Sequence, residues 1–171
     1  MGKLILGIDP GTSGAIAILD PESGFLEVHD VPTFELKVGK SKRKRVAIAD
    51  LLSIFTDTGA DMVDLAYLEK VGPQPRDGSA SAFAFGEAVG AIKGCLSAAL
   101  VPFTQPTPQE WKKEFKLNGK KGSDGEEAAR QLAIELFPRH AELFKRKKDH
   151  NRADAALIAL FGARQTLRKS G

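Results

Sequence analysis

Residues 3 to 20 read KLILGIDPGTSGAIAILD, and this stretch decides the fold. Lys3 to Ile8 is a short apolar run, Gly11 to Gly14 supplies turn residues, and Ala15 to Leu19 is apolar again, so the two runs predict the strands of a hairpin. Phe25 to Val31 predicts a third strand, reached through Pro21-Glu22-Ser23-Gly24, residues whose backbone preferences suit a tight turn. Asp9 stands where the first strand gives way to Pro-Gly, which puts its carboxylate at a strand end.

Outward from this hairpin the pattern alternates. Ile48, Leu51, Leu52 and Phe55 recur at helical spacing and predict a helix over Val46 to Thr56 with one buried face. Met62 to Leu68 predicts another strand, ending at Glu69. After a Gly- and Pro-rich loop over residues 72 to 78, a small-residue helix is expected from about Ser81 to Leu100. Its Gly86, Gly90 and Gly94 fall four apart on one face, where a neighbouring backbone would approach closely. Val101 to Thr104 predicts a short strand. Thr107-Pro108-Gln109-Glu110 orders a cap, a first-turn proline and a capping-box acid, so a helix begins there. Ser123 to Glu126 repeats that spacing before a helix that Pro138 stops. A last helix is expected from about Asn151 to Leu167. Strands and helices in this order predict one α/β domain over residues 1 to 171, with a mixed sheet flanked by helices.

Composition bounds the function. The chain has 171 residues, 42% hydrophobic and 27% charged, enough for one ordinary core. Its single cysteine, Cys95, forms no internal disulfide, and a reducing, cytoplasmic setting is the expectation. The N-terminal apolar run is interrupted by Asp9 and Pro10, which reads as neither a signal peptide nor a membrane span. A net charge of +3 is too small to identify a polyanionic partner, so distribution decides. Six basic residues in nine, with no acid, run from Lys37 to Arg45, and a second basic zone runs from Lys112 through Lys121. Such clusters bind phosphates by displacing condensed counterions, a gain set by local geometry.

Asp9 and Glu69 both end apolar strands. Sheet neighbours lie ~5 Å apart, close enough for both acids to reach one cation, and hard Mg²⁺ prefers such oxygens. Asp154 falls in the first turn of the last helix. His150 is four residues before it and shares its helix face if the helix includes His150; Asp149 is about 140° away and joins only from the preceding turn. His150 is the better placed if the helix already includes it, and Asp149 if the helix starts at Asn151; spacing leaves both open.

GIDPGTSGAIAILD, YLEKVGPQP, SASAFAFGEAVGAIKG and DHNRADAALIAL together resemble the RuvC-like Holliday-junction resolvases, especially their phage-type branch, over nearly the whole chain. The resemblance implies an RNase H-like fold with a central mixed five-stranded sheet. It also implies a symmetric homodimer and a metal-dependent endonuclease that nicks two strands of a four-way DNA junction. By motif position, Asp9 corresponds to the first-strand acid, Glu69 to the acid ending the fourth strand, and Asp154 to the last-helix acid. Where bacterial members carry an Asp or His three residues before that last acid, this chain has Asn151. Where they carry an aromatic wedge three residues after the strand-four acid, it has Gly72, and Phe83 and Phe85 nearby read as core.

The metal set is then Asp9, Glu69, Asp149 and Asp154, with two Mg²⁺ ions or substituting Mn²⁺, and His150 as the alternative fourth catalytic group. Lys40, Lys42, Arg43, Lys44 and Arg45, together with Lys112, Lys113, Lys120 and Lys121, would hold backbone phosphates. Rival readings are a nuclease of the same fold acting on other branched DNA or on RNA, and a non-catalytic DNA-binding relative. A third, suggested by Gly11, Thr12 and Gly14, is an ATP-binding domain of the actin and sugar-kinase group. Those proteins close two such domains on a nucleotide, and 171 residues supply one.

Overall fold

The computed structural model describes residues 3–72, 78–119 and 122–169. Its central sheet is built from β1 (Leu4–Asp9), β2 (Ala15–Leu19), β3 (Leu26–Asp30), β6 (Val63–Leu68) and β7 (Phe103–Thr104), in the spatial order β3-β2-β1-β6-β7. β1 pairs antiparallel with β2, and β2 with β3, whereas β1 pairs parallel with β6, and β6 with β7. This is the mixed five-stranded sheet that the sequence predicts. Helices α1 (Ile48–Thr58) and α2 (Ser79–Ala98) cover one face; α3 (Pro108–Glu114), α4 (Gly122–Leu136) and α5 (His150–Lys169) lie on the other.

Side chains alternate across a strand, and β1 distributes its residues accordingly. Leu6 and Ile8 join the cluster with Leu51, Phe55, Ile92 and Leu96 of α1 and α2. Ile5 joins Ala155, Leu157 and Ala159 of α5 and Ala129 and Ala133 of α4. Gly7 shares the Ile5 face, and a Cβ there would lie 2.2 Å from the Ala155 carbonyl oxygen and 2.2 Å from the Ala159 nitrogen. The strand backbone and α5 therefore touch, and only glycine fits. The same alternation carries Asp9 onto the α5 face, as it carries Glu69 there two residues beyond Tyr67, which packs in the α5 cluster.

Several expectations change. The basic stretch supplies the turn and second strand of a two-stranded ribbon, β4 (Thr33–Val38) with β5 (Ser41–Val46), and the charge density of β5 concealed it. Helix α1 starts at Ile48, two residues later than expected. α4 starts at Gly122, so Ser123 and Glu126 lie inside it instead of forming its cap. The Thr107 capping box forms as expected. Among the described residues no backbone packs against Gly86, Gly90 and Gly94, contrary to the expectation: a Cβ at any of them meets nothing within 4 Å. Phe83 is not core but 73% exposed, because its face of α2 points away from the sheet.

Candidate active site

The site grows from the parallel β1–β6 pair. Ile8 is in register with Leu68, and the Glu69 N–H donates to the Ile8 carbonyl at 2.9 Å, so Asp9 and Glu69 leave adjacent strands at the same level. The turn after β1 folds back tightly: a Cβ on Gly14 would fall 2.0 Å from the Asp9 carbonyl oxygen. Asp154 arrives from α5, one turn in from its start, on the helix pressed on β1. Helix α5 begins at His150, so His150 lies one turn before Asp154 on the same face.

Electrostatics shows how closely these groups share space. Burial, then the negative charges of Asp154 and Glu69, hold Asp9 well above the usual carboxylate range, against the pull of Lys112. Burial pushes Asp154 up to about 7; Lys112 and His150 oppose it, while Glu69 and Glu126 add to it. Glu69 is raised by burial and lowered by Trp111 and Lys112. The buried Asp154 Oδ1 has no hydrogen-bond partner among the described residues. Among those residues, no three Asp, Glu, His or Cys side chains close to the spacing of one ion's ligands. A cluster of half-buried, mutually repelling hard oxygens, one of them fully buried and unpartnered among the described residues, nevertheless has the donor chemistry suited to a divalent cation.

Asp149 is placed elsewhere. It is 3% exposed and gripped by Arg146, whose Nη2 donates to its Oδ1 at 2.7 Å and whose backbone N–H donates to its Oδ2 at 2.8 Å. Burial alone would raise it, but the bonds from Arg146 outweigh burial and hold it below the usual range. Asn151 donates through Nδ2 to the Ser13 carbonyl at 2.5 Å, tying α5 to the β1–β2 turn.

Trp111 is fully buried and its Nε1 donates to Glu69 Oε1 at 2.8 Å, fixing that carboxylate. In the sequence it reads as packing alone; an indole one residue before a lysine, at a capped helix start, carries no spacing signal for a contact so distant in the chain. Lys112, read as a phosphate contact, instead lies within the field of all three acids, its Nζ 5.1 Å from the centre of the Trp111 ring. Lys113 is exposed, and Lys120 and Lys121 lie outside the described residues. On the ribbon, Lys40, Arg43 and Lys44 are exposed, Lys42 pairs with Glu35 at 2.9 Å, and Arg45 pairs with Glu87 of α2 at 2.9 Å. Beside Glu69 opens a cleft of about 740 Å³, lined by Ser81, Phe85, Thr107, Pro108 and Gln109.

The solved structure of Thermus thermophilus RuvC in complex with Holliday junction substrate superposes with a TM-score of 0.60, covering 96% of each chain at 19% identity. The fold is that of RuvC. A second Thermus thermophilus RuvC structure matches with a TM-score of 0.50 over 95% of this chain and 96% of that one, at 16% identity. The RuvC-like, RNase H-like architecture is thus shared throughout, with the mixed sheet and its flanking helices in common. In sequence, 93 residues, 54% of the chain, are 34% identical to the chloroplastic Holliday junction resolvase MOC1 of Chlamydomonas reinhardtii, a stretch spanning 10% of that protein's length. No family model matches. Among the described residues, no helix is long and apolar enough to cross a membrane.

Proposed function

We propose that this chain is a divalent-metal-dependent endonuclease, a single nuclease domain that resolves four-way DNA junctions by paired nicks. One observation carries the reading: Asp9 and Glu69 at adjacent strand ends and Asp154 on the crossing helix, all half-buried, lie within one another's electrostatic field, and the buried Oδ1 of Asp154 has no hydrogen-bond partner among the described residues. The similarity to MOC1 and the RuvC fold support it. The narrower assignment to the phage-type branch rests on the four sequence motifs.

Asp9, Glu69 and Asp154 would hold the ions, Mg²⁺ or Mn²⁺. Two such ions, when bound, supply a nucleophilic water at neutral pH and stabilise charge on the attacking and leaving oxygens of an in-line displacement. Trp111 aims Glu69 and partly offsets the burial that disfavours its charged form. Lys112 faces the acids and offsets charge that develops on the phosphate. His150 is the fourth group in preference to Asp149, which Arg146 already engages. The His150 Nδ1 lies 3.3 Å from the Lys147 carbonyl, which only accepts; Nδ1 therefore carries the proton, and Nε2 is left to take one from water. The ribbon's Lys40, Lys42, Arg43, Lys44 and Arg45, with Lys113, would position backbone phosphates without reading bases.

Paired nicks need two sites, which a symmetric pair of chains would supply, and the open Gly86, Gly90 and Gly94 face is the surface for that pairing. A reducing, cytoplasmic compartment suits the buried Cys95 thiol, which burial pushes up. The test is a labelled four-way junction beside its linear duplex, a fork and an RNA hairpin, each with and without Mg²⁺. Paired nicks confined to the junction, dependent on the ion and abolished by Asp9→Asn with binding retained, are expected. Wild-type cutting by Asp9→Asn would overturn the metal-site assignment.

A further inference from the structure

We infer that a basic basin beside the acid cluster is a second phosphodiester-backbone site, one that grips the DNA strand as it leaves the catalytic pocket. This rests on the nuclease reading above and extends it. The basin is a cavity of about 630 Å³ whose wall brings Ser13 of the β1–β2 turn and Lys44 of β5 together with Arg146 and Lys148, which precede α5, and Arg152 in its first turn. His150 also lines it, and the field of His150 reaches Asp154, so the basin and the catalytic pocket meet at that side chain.

Charge pairing inside the basin is incomplete. Asp149 takes Arg146, and Asp30 takes Arg152 through two bonds of 2.6 Å. Those are the carboxylates of the wall, and both are spent on arginines. Among the described residues, neither the Lys44 nor the Lys148 ammonium has a carboxylate within 4.0 Å. Two unpaired point charges therefore face a polar cavity beside the Thr12 and Ser13 hydroxyls, with no Phe, Tyr or Trp in its wall to stack a base. Ammonium groups and hydroxyls without a stacking surface recognise phosphate, not sequence. The fold assembles this site from the ribbon and from a run, Lys145-Arg146-Lys147-Lys148, far from it in the chain.

The experiment measures binding of a four-way junction, and of a single-stranded oligonucleotide, across a salt series, using the full chain carrying Asp9→Asn to prevent cleavage. Lys44→Glu with Lys148→Glu is expected to weaken junction binding about tenfold or more at low salt. It should also lessen the slope of log affinity against log salt by about two phosphate contacts' worth. Lys44→Gln with Lys148→Gln should give a smaller loss with the same slope change, and melting temperatures should stay at the parent value because neither side chain has a partner to lose. Lys3→Glu, on the exposed start of the chain, is the control and should alter neither quantity. Parental affinity and slope in both double variants would overturn the basin while leaving the nuclease reading intact. If the parent binds neither the junction nor the single strand, both readings fall.

Discussion

At Asp154, burial outweighs every favourable neighbour, and this fixes how the chain responds to pH. The carboxyl titrates near 3.8 when unfolded and at about 7 when folded, so the native state holds its proton more tightly. The cost of the buried charge is therefore absent below pH ~4, grows between the two values and is complete above pH ~7, where it reaches on the order of 4 kcal/mol. Asp154→Asn, in a chelator, should raise the melting temperature at pH 8 and leave it almost unchanged at pH 4. A gap independent of pH would mean that ionisation is not the source. Asp149 has the opposite sign: its folded value lies below the ordinary one, so its contribution is present at neutral pH and is lost as acid protonates it. Asp149→Asn should cost on the order of 2 kcal/mol at pH 7 by urea melts and less at pH 3, with ion-dependent cleavage by the folded fraction preserved. His150→Ala should do the reverse, sparing stability and slowing cleavage tenfold or more.

Among the elements, the contact that matters most is β1 against α5, because it carries Asp9 and Asp154 to each other. Gly7 permits that contact, and both atoms nearest a Cβ there belong to the α5 backbone, which has no side-chain freedom with which to yield. Gly7→Ala should therefore cost 3 kcal/mol or more, on the order of the largest overpacking penalties, and lower activity in the fraction that still folds. Thermal melts alongside junction cleavage measure both. The period-two and period-3.6 patterns made β1, β2, β6 and α5 legible in the sequence, and with them Asp9, Glu69 and Asp154, because each acid terminates or begins an apolar run. What stayed hidden depended on tertiary neighbours. Charged residues dominate β5, and no apolar alternation marked it as a strand. Phe83 has apolar sequence neighbours yet lies on the outer face of α2. The pairing of Trp111 with Glu69 joins segments whose approach is set by β6 and α3 together. Whether Asp149 or His150 faces the site depended on a one-residue helix boundary, the feature that local pattern specifies least sharply.

Across the whole molecule, one pocket of acids cuts one strand, whereas resolving a junction needs two symmetric cuts, so pairing of chains belongs to the proposed activity. The Gly86, Gly90 and Gly94 face of α2 is exposed, and no described residue comes within 4 Å of a Cβ at any of the three positions. Within a helix, replacing glycine by glutamate favours the helix by about 0.5–1 kcal/mol, so Gly90→Glu should leave the single chain as stable as before or slightly more so. On a face shared by two chains about a twofold axis, the same change places like charges against each other at close range. Gly90→Glu is therefore expected to keep its melting temperature, to sediment as a monomer, and to nick one junction strand without the coordinated second cut. A dimer that persists in this variant would remove α2 from the interface, and paired nicks made by a monomer would show that the two cuts do not require simultaneous sites.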